Sequence, residues 1–331
     1  MMNYNEKEHI LRKFTNTPLM CAKSYWPKGN LFVKLDGNNI YGGIKSRTAF
    51  YMLKEITGKL PSTTNKLNVV ESSSGNLAIA LHKLSGLFNV NFLCLADKSI
   101  PESKRKELHN TGVNIQLVDK GDYPDLRSAR IAKAKEIGDK KGWVWANQYA
   151  NVGNFQGHFE TTGPELWAQT SGAVSWVVCS VGSAGTICGI GNYLKKRNHN
   201  INIVGVEPVG STSFGGKPGP YISAGSGMRE PSELLSRFGD CIDYYSKVTD
   251  EAAAIQCNNF FKYEKISVGI TTGHNLAVAT EIASNTDKIV VVISADSGRH
   301  YKKEILRLTA NFCDLYQNIT PELIYKRCLS E

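Results

Sequence analysis

No stretch of the chain approaches the roughly 18 to 20 uninterrupted apolar residues that a membrane-spanning helix needs, so none is expected. The opening MMNYNEKEH is polar and lacks the apolar core of a secretory signal, and none is predicted there. The eight cysteines (Cys21, Cys94, Cys179, Cys188, Cys241, Cys257, Cys313 and Cys328) include no CxxC pair, and in 331 residues they do not form a disulfide framework. The seven histidines show no HExxH and no ligand-like spacing with cysteine, so no metal is expected. Charged residues are 21% of the chain, too few for a disordered polyelectrolyte. No RNP, zinc-finger or basic-zipper pattern accompanies the excess of 39 Lys+Arg over 30 Asp+Glu, so the net +9 reads as a surface that attracts small anions, with no nucleic acid and no membrane as partner. There is no GxxxxGK(S/T) and hence no P-loop. The GxG at Gly189-Ile190-Gly191 falls inside a presumed helix, where a Rossmann fingerprint fails. Together these absences predict a reduced, cytoplasmic, metal-free protein.

The length suits one large or two medium domains. Short β-rich runs alternate with amphipathic segments. The predicted strands are 31–35 (LFVKL), 67–71 (LNVVE), 90–96 (VNFLCLA), 115–119 (IQLVD), 143–147 (WVWAN), 176–181 (WVVCSV), 201–207 (INIVGVE), 266–270 (ISVGI) and 289–294 (IVVVIS). Several are continuously apolar, the mark of strands buried on both faces of a parallel sheet. Helix-like stretches such as 77–84 and 125–137 lie between them. Repeated β then α predicts a doubly wound α/β fold.

Three of these strands run into small-residue turns: Ser72-Ser73-Ser74-Gly75-Asn76, Gly182-Ser183-Ala184-Gly185-Thr186 and Thr271-Thr272-Gly273-His274-Asn275. Each is predicted to open a helix at a strand's carboxyl end, where open α/β sheets bind ligands and free N–H groups favour an anion. Singly, each could be an ordinary βα turn with a Ser/Thr cap; three together point to a ligand site. Without a nucleotide fingerprint, a smaller phosphorylated cofactor fits. Lys45, in the first turn of a helix after Asn38-Asn39-Ile40-Tyr41-Gly42-Gly43-Ile44, sits against the positive end of the helix dipole. A lysine whose ammonium is destabilised can act as a neutral amine and form a Schiff base.

From Thr17-Pro18-Leu19 to about His300 the chain resembles the fold-type II pyridoxal 5′-phosphate (PLP) enzymes, specifically the cysteine synthase/cystathionine β-synthase family. Residues 34–47 match its K-x-E-x-x-N-P-x-G-S-x-K-D-R segment in register, with Asp36, Ile40, Gly43 and Ser46 departing from it. Ser73-Ser74-Gly75-Asn76-Leu77-Ala78 resembles its (S/T)-S-G-N-x-G loop, and Gly182 to Thr186 its G-T-G-G-T phosphate loop, with Ala184 inside. Further matches are Asn147 to Asn151, His158 to Glu165, Val206-Glu207-Pro208 and Gly269 to Gly273.

The resemblance implies two doubly wound domains with largely parallel sheets, a smaller one over 41–150 and a larger one over 1–40 plus 151–331, and a homodimer. It implies PLP as cofactor, with Lys45 as the Schiff-base lysine. Gly182, Ser183, Ala184, Gly185 and Thr186 would hold the phosphate, Asn76 the ring 3′-oxygen, and Thr271 the pyridine nitrogen. Ser73, Ser74 and Gln148 would bind the substrate α-carboxylate. The chemistry implied is β-replacement on an activated serine through an aminoacrylate. Ser74 to Leu77, Asn147 to Asn151 and Phe214-Gly215-Gly216-Lys217-Pro218 resemble a narrower branch, the siderophore-pathway synthases that make a 2,3-diaminopropionate precursor from O-phosphoserine and glutamate. Arg229, with Lys217, is the expected cationic partner for such anionic amino acids. The alternatives are a cysteine synthase using O-acetylserine and sulfide, a serine or threonine deaminase, and a PLP-fold protein that binds without turnover. Residues 301–331 read as a terminal helical segment.

Overall fold

The computed structural model describes residues 9–310 apart from Gly42, 60–65, Ser74, Ser99 and Pro101. Two sheets organise the chain. Strands β1 (Leu19–Cys21), β2 (Leu31–Leu35), β7 (Val174–Ser180), β8 (Asn202–Pro208), β9 (Tyr244–Val248) and β10 (Ile289–Ser294) form a six-stranded sheet in the order β1-β2-β10-β7-β8-β9. Strands β3 (Leu67–Ser72), β4 (Val90–Asp97), β5 (Ile115–Val118) and β6 (Trp143–Trp145) form a four-stranded sheet in the order β5-β4-β3-β6. Among the strands of the described residues only the β1–β2 pair is antiparallel.

The continuous apolar runs lie at the sheet centres for a simple reason. Successive side chains of a strand point to opposite faces, so a strand covered on both faces needs apolar residues at every position. In β10, Val290 and Val292 face a core completed by the Asp250–Glu264 and Ile270–Ser284 helices, whereas Val291 and Ile293 face a second core built on the Gly185–Arg197 helix. The small sheet repeats the plan. Val69, Phe92 and Cys94 pack under the Lys45–Gly58 and Asn76–Ser85 helices, while Val70 and Leu95 face the Leu126–Gly138 helix. Full burial of each such side chain contributes roughly 1.5–3 kcal/mol.

The run 266–270 is not a strand. Val268 makes a single bridge to Ser297, and Gly269 in extended backbone caps a helix that begins at Ile270. Residues 271–275 therefore lie within the first turns of that helix, not in a turn after a strand. β1 and β9 are the strands that pattern did not reveal. β1 is three residues long, and β9 (YYSKV) is an edge strand whose polar positions break the apolar run. The terminal segment forms a helix over Lys302–Ala310; 311–331 lie outside the described residues. Among the described residues no helix is long and apolar enough to cross a membrane.

Candidate active site

Four helices point their N-termini at the crevice between the two sheets, and none has a side-chain cap: those starting at Lys45, Asn76, Gly185 and Ile270. Four helices elsewhere are capped by Asp125, Asn151, Ser232 and Thr249, each accepting from a first-turn N–H at 2.8–3.2 Å. Uncapped N–H groups are available to an anion, and the helix dipole favours one there.

The elements close on one another through close backbone approaches. A Cβ on Gly43 would lie 3.2 Å from Asn76 Nδ2, and one on Gly182 2.9 Å from the Gly225 carbonyl oxygen. A Cβ on Gly225 would meet Thr271 Cγ2 at 3.1 Å, and one on Gly185 would overlap the Asn154 amide at 2.3 Å. Lys45 Nζ donates to Ser183 Oγ at 3.5 Å. The structure thus gathers Lys45, Asn76, Gly182 to Thr186 and Thr271 around one space, with Ser73 at the end of β3 and Gln148 just beyond β6. Ser74 lies outside the described residues. Arg229 is exposed, its Nε 2.6 Å from Asp125 Oδ2, and Lys217 stands exposed on the 211–219 loop.

The Lys45 ammonium is destabilised where it sits. Burial drives the Lys45 ammonium down to about 8, although the Glu71 carboxyl and the Cys179 thiol pull it the other way. Burial also lifts Glu71, at the end of β3 and fully enclosed, to about 7, against hydrogen bonds from Gln148 and Ser72 and the charge of Arg130. The Gln148 amide donates to Glu71 Oε1 at 3.2 Å and to the Ser72 carbonyl at 3.3 Å. Behind Lys45 its helix is anchored by a buried ionic cluster. Arg47 pairs with Asp36 (2.8 Å) and Glu165 (2.8 Å to Oε2), and Lys34 pairs with the same Glu165 oxygen (2.6 Å). Lys34, Asp36 and Arg47, which flank the turn, are therefore structural: they fix the helix from which Lys45 projects. Asp36 is shorter than the glutamate common at its position; Oδ1 takes Thr17 and Arg47, and Oδ2 has no partner among the described residues.

These residues fit PLP on the structure's own terms. Thr271 is 3% exposed, and its buried Oγ1 has no hydrogen-bond partner among the described residues, as a hydroxyl awaiting a ring nitrogen requires. The neighbouring Thr272, by contrast, donates to Ser294 Oγ at 3.1 Å. Gly182 and Gly185 stand where a Cβ would collide with the Gly225 carbonyl and the Asn154 amide, so only glycine lets the loop close there, and Ala184 at φ +66° reverses the hand of the backbone as an anion-binding nest requires.

Residues 10–295 match the family of pyridoxal-phosphate dependent enzymes. The chain belongs to that family. Among solved structures it is similar to a hydrogen sulfide-producing enzyme from Fusobacterium nucleatum, with 27% identity over 88% of this chain and 98% of that one and a TM-score of 0.77. It is also similar to O-acetyl serine sulfhydrylase isoform 3 from Entamoeba histolytica, with 26% identity, 96% and 93% covered, and a TM-score of 0.79. A third is the O-acetylserine dependent cystathionine beta-synthase from Helicobacter pylori, with 25% identity, 92% and 98% covered, and a TM-score of 0.78. The protein is thus a PLP-dependent enzyme of cysteine synthase-like β-substitution chemistry on the fold-type II architecture. Pattern reading did not single out Glu71, Asn154, His158 and Asp296, which the structure sets against Gln148, Ser183, Thr186 and Asn76. Each stood in or beside a recognised stretch (Glu71 directly before the serine loop, Asp296 just after IVVVIS), but nothing local distinguished them from structural polar residues.

Proposed function

We propose that the enzyme replaces the leaving group of O-phosphoserine with the amine of an amino acid such as glutamate, giving a 2,3-diaminopropionate precursor for siderophore or specialised-metabolite biosynthesis. The observation that carries this reading is the cationic edge of the small sheet. Arg127 and Arg130 lie one helical turn apart on the Leu126–Gly138 helix, Arg127 donating to the Gly227 carbonyl and Arg130 pairing with Asp97 at 2.6 Å, and both oppose the upward push of burial on the Tyr149 hydroxyl. Arg229, paired with Asp125 at the start of the same helix, adds a third guanidinium. A phosphate leaving group and a dicarboxylate nucleophile need such partners, and arginine offers bidentate ones.

In this reading Gly182 to Thr186 hold the cofactor phosphate, Asn76 the 3′-oxygen, and Thr271 the ring nitrogen. Ser73, Ser74 and Gln148 orient the substrate carboxylate. Bound there, PLP supplies the electron sink for charge developing at the substrate α-carbon. Lys45, with its ammonium destabilised by burial, takes the α-proton and returns one. Thr271, as a neutral hydroxyl, holds the ring nitrogen without adding a charge. The separate four- and six-stranded sheets support a division into a smaller unit over 41–150 and a larger one over 1–40 with 151–331. A homodimer rests on the family resemblance, and a cytoplasmic setting on the cysteine pattern.

A second reading, O-acetylserine as donor and sulfide as acceptor, is favoured by the O-acetylserine chemistry named for two of the solved neighbours. Absorbance of the holoenzyme separates the two. The proposal expects the cofactor band to shift with O-phosphoserine and to return on adding glutamate, with a diaminopropionate product detected by mass. A shift confined to O-acetylserine, reversed by sulfide and not by glutamate, refutes it in favour of the second reading.

A further inference from the structure

His158 is fully buried and lies in a single π-helical turn, His158–Thr162. Such turns are rare and concentrate at functional sites. Burial drives the imidazole well below its ordinary range, and Arg47 and Lys45 push the same way, so the ring is neutral. Its Nε2 lies 3.2 Å from Thr48 Oγ1 and 3.2 Å from Thr186 Oγ1, and its Nδ1 lies 2.9 Å from Thr162 Oγ1. Close helix packing sets this placement: a Cβ on Gly189 would lie 2.7 Å from His158 Cβ.

The surrounding bonds decide which nitrogen carries the proton. The Asn154 amide nitrogen donates to the Gln148 carbonyl at 2.7 Å and to Ser183 Oγ at 2.9 Å, so its oxygen is the acceptor facing Thr48. Thr48 spends its one hydroxyl proton on that oxygen at 3.0 Å. Thr48 can therefore only accept from His158, which places the ring proton on Nε2 and leaves Nδ1 to accept from Thr162. The same Nε2–H faces Thr186. A one-way chain results, running from Thr162 through His158, Thr48 and Asn154 to Ser183. Ser183 at its end and Thr186 on the branch from Nε2 receive bonds from the protein, and their own hydroxyl protons remain available for an anion.

We infer that His158, as the Nε2–H tautomer, is a positioning residue that turns the Thr186 hydroxyl proton toward the phosphate seated on the Gly182 to Thr186 loop. The inference rests on that loop being the phosphate seat. A group acting through the phosphate must matter for PLP and not for pyridoxal, which carries the same aldehyde without the phosphate. A residue that merely supports the fold weakens both.

The test is spectroscopic titration of cofactor-free protein with PLP and with pyridoxal for the wild type, His158→Phe, His158→Gln, Thr186→Val and the double variant His158→Phe/Thr186→Val. Loss of a hydrogen bond to a charged group predicts about a tenfold or greater loss of PLP affinity in His158→Phe, with pyridoxal affinity unchanged. His158→Gln, which keeps a donor at the same reach, recovers much of the loss. In the double variant, His158→Phe adds nothing to Thr186→Val. Equal weakening of both ligands, no recovery in His158→Gln, or additive losses in the double variant overturn the role of His158. Should His158→Phe fail to fold, the PLP-to-pyridoxal ratio of His158→Gln against Thr186→Val still decides. A Thr186→Val protein with an unchanged ratio overturns both this role and the phosphate seat.

Discussion

Replacing Glu71 with glutamine should make the stability of the protein less sensitive to pH, and the structure fixes the size of the effect. Burial raises the carboxyl from 4.5 to about 7. Between those values the folded protein keeps the Glu71 proton while the unfolded chain has lost it. The folded state then binds more protons, so stability falls as pH rises through the window and levels off above about 7. At about 1.4 kcal/mol per pH unit of separation, the wild type loses roughly 3 kcal/mol between pH 5 and pH 8 that Glu71→Gln does not. The variant also disturbs the bond from the Gln148 amide to Oε1, but that cost does not vary with pH and cancels from the difference profile. Urea unfolding of cofactor-free protein at pH 5, 6, 7 and 8 measures it. The stability of variant minus wild type should climb by roughly 3 kcal/mol across the series. A flat profile refutes the reasoning, and a profile of opposite slope means that Glu71 is ionised in the folded protein and its charge is stabilised there.

Two further predictions follow from the site's supports. Arg47→Met leaves Asp36 and Glu165 buried against too little positive charge, and should cost about 3–5 kcal/mol in denaturant unfolding, with reduced cofactor occupancy. Ala184→Gly relieves a left-handed residue at φ +66°. Relief of about 1–2 kcal/mol outweighs the added freedom of the unfolded chain, about 0.4–1 kcal/mol, so a rise in melting temperature is expected and a fall would contradict it.

The doubly wound plan was legible wherever burial dictated every letter, as in IVVVIS and in WVVCS of β7. It failed where local composition and tertiary geometry disagree. ISVGI has the β-branched letters of a strand, but Gly269 donates its N–H to the Asp296 carbonyl at 3.0 Å and turns the chain straight into a helix. Lys45, Asn76, Gly182 to Thr186 and Thr271 could be singled out because the chemistry expected of them needs particular residue types at particular steps along the chain. Glu71, Asn154 and His158 could not, because what sets their protonation and bonding comes from residues up to 110 positions away, as Thr48 is from His158.

The ionic cluster under Lys45 also constrains the order in which the chain can become an enzyme. Arg47 waits for Glu165, 118 residues later, and Lys34 waits 131 residues for the same carboxylate. Every strand of the small sheet is made in that interval. Contacts so distant in sequence form slowly, since a long loop must close before they repay it. On the ribosome, the small sheet is complete before the helix bearing Lys45 gains Glu165, the second of the two carboxylates that pair with Arg47.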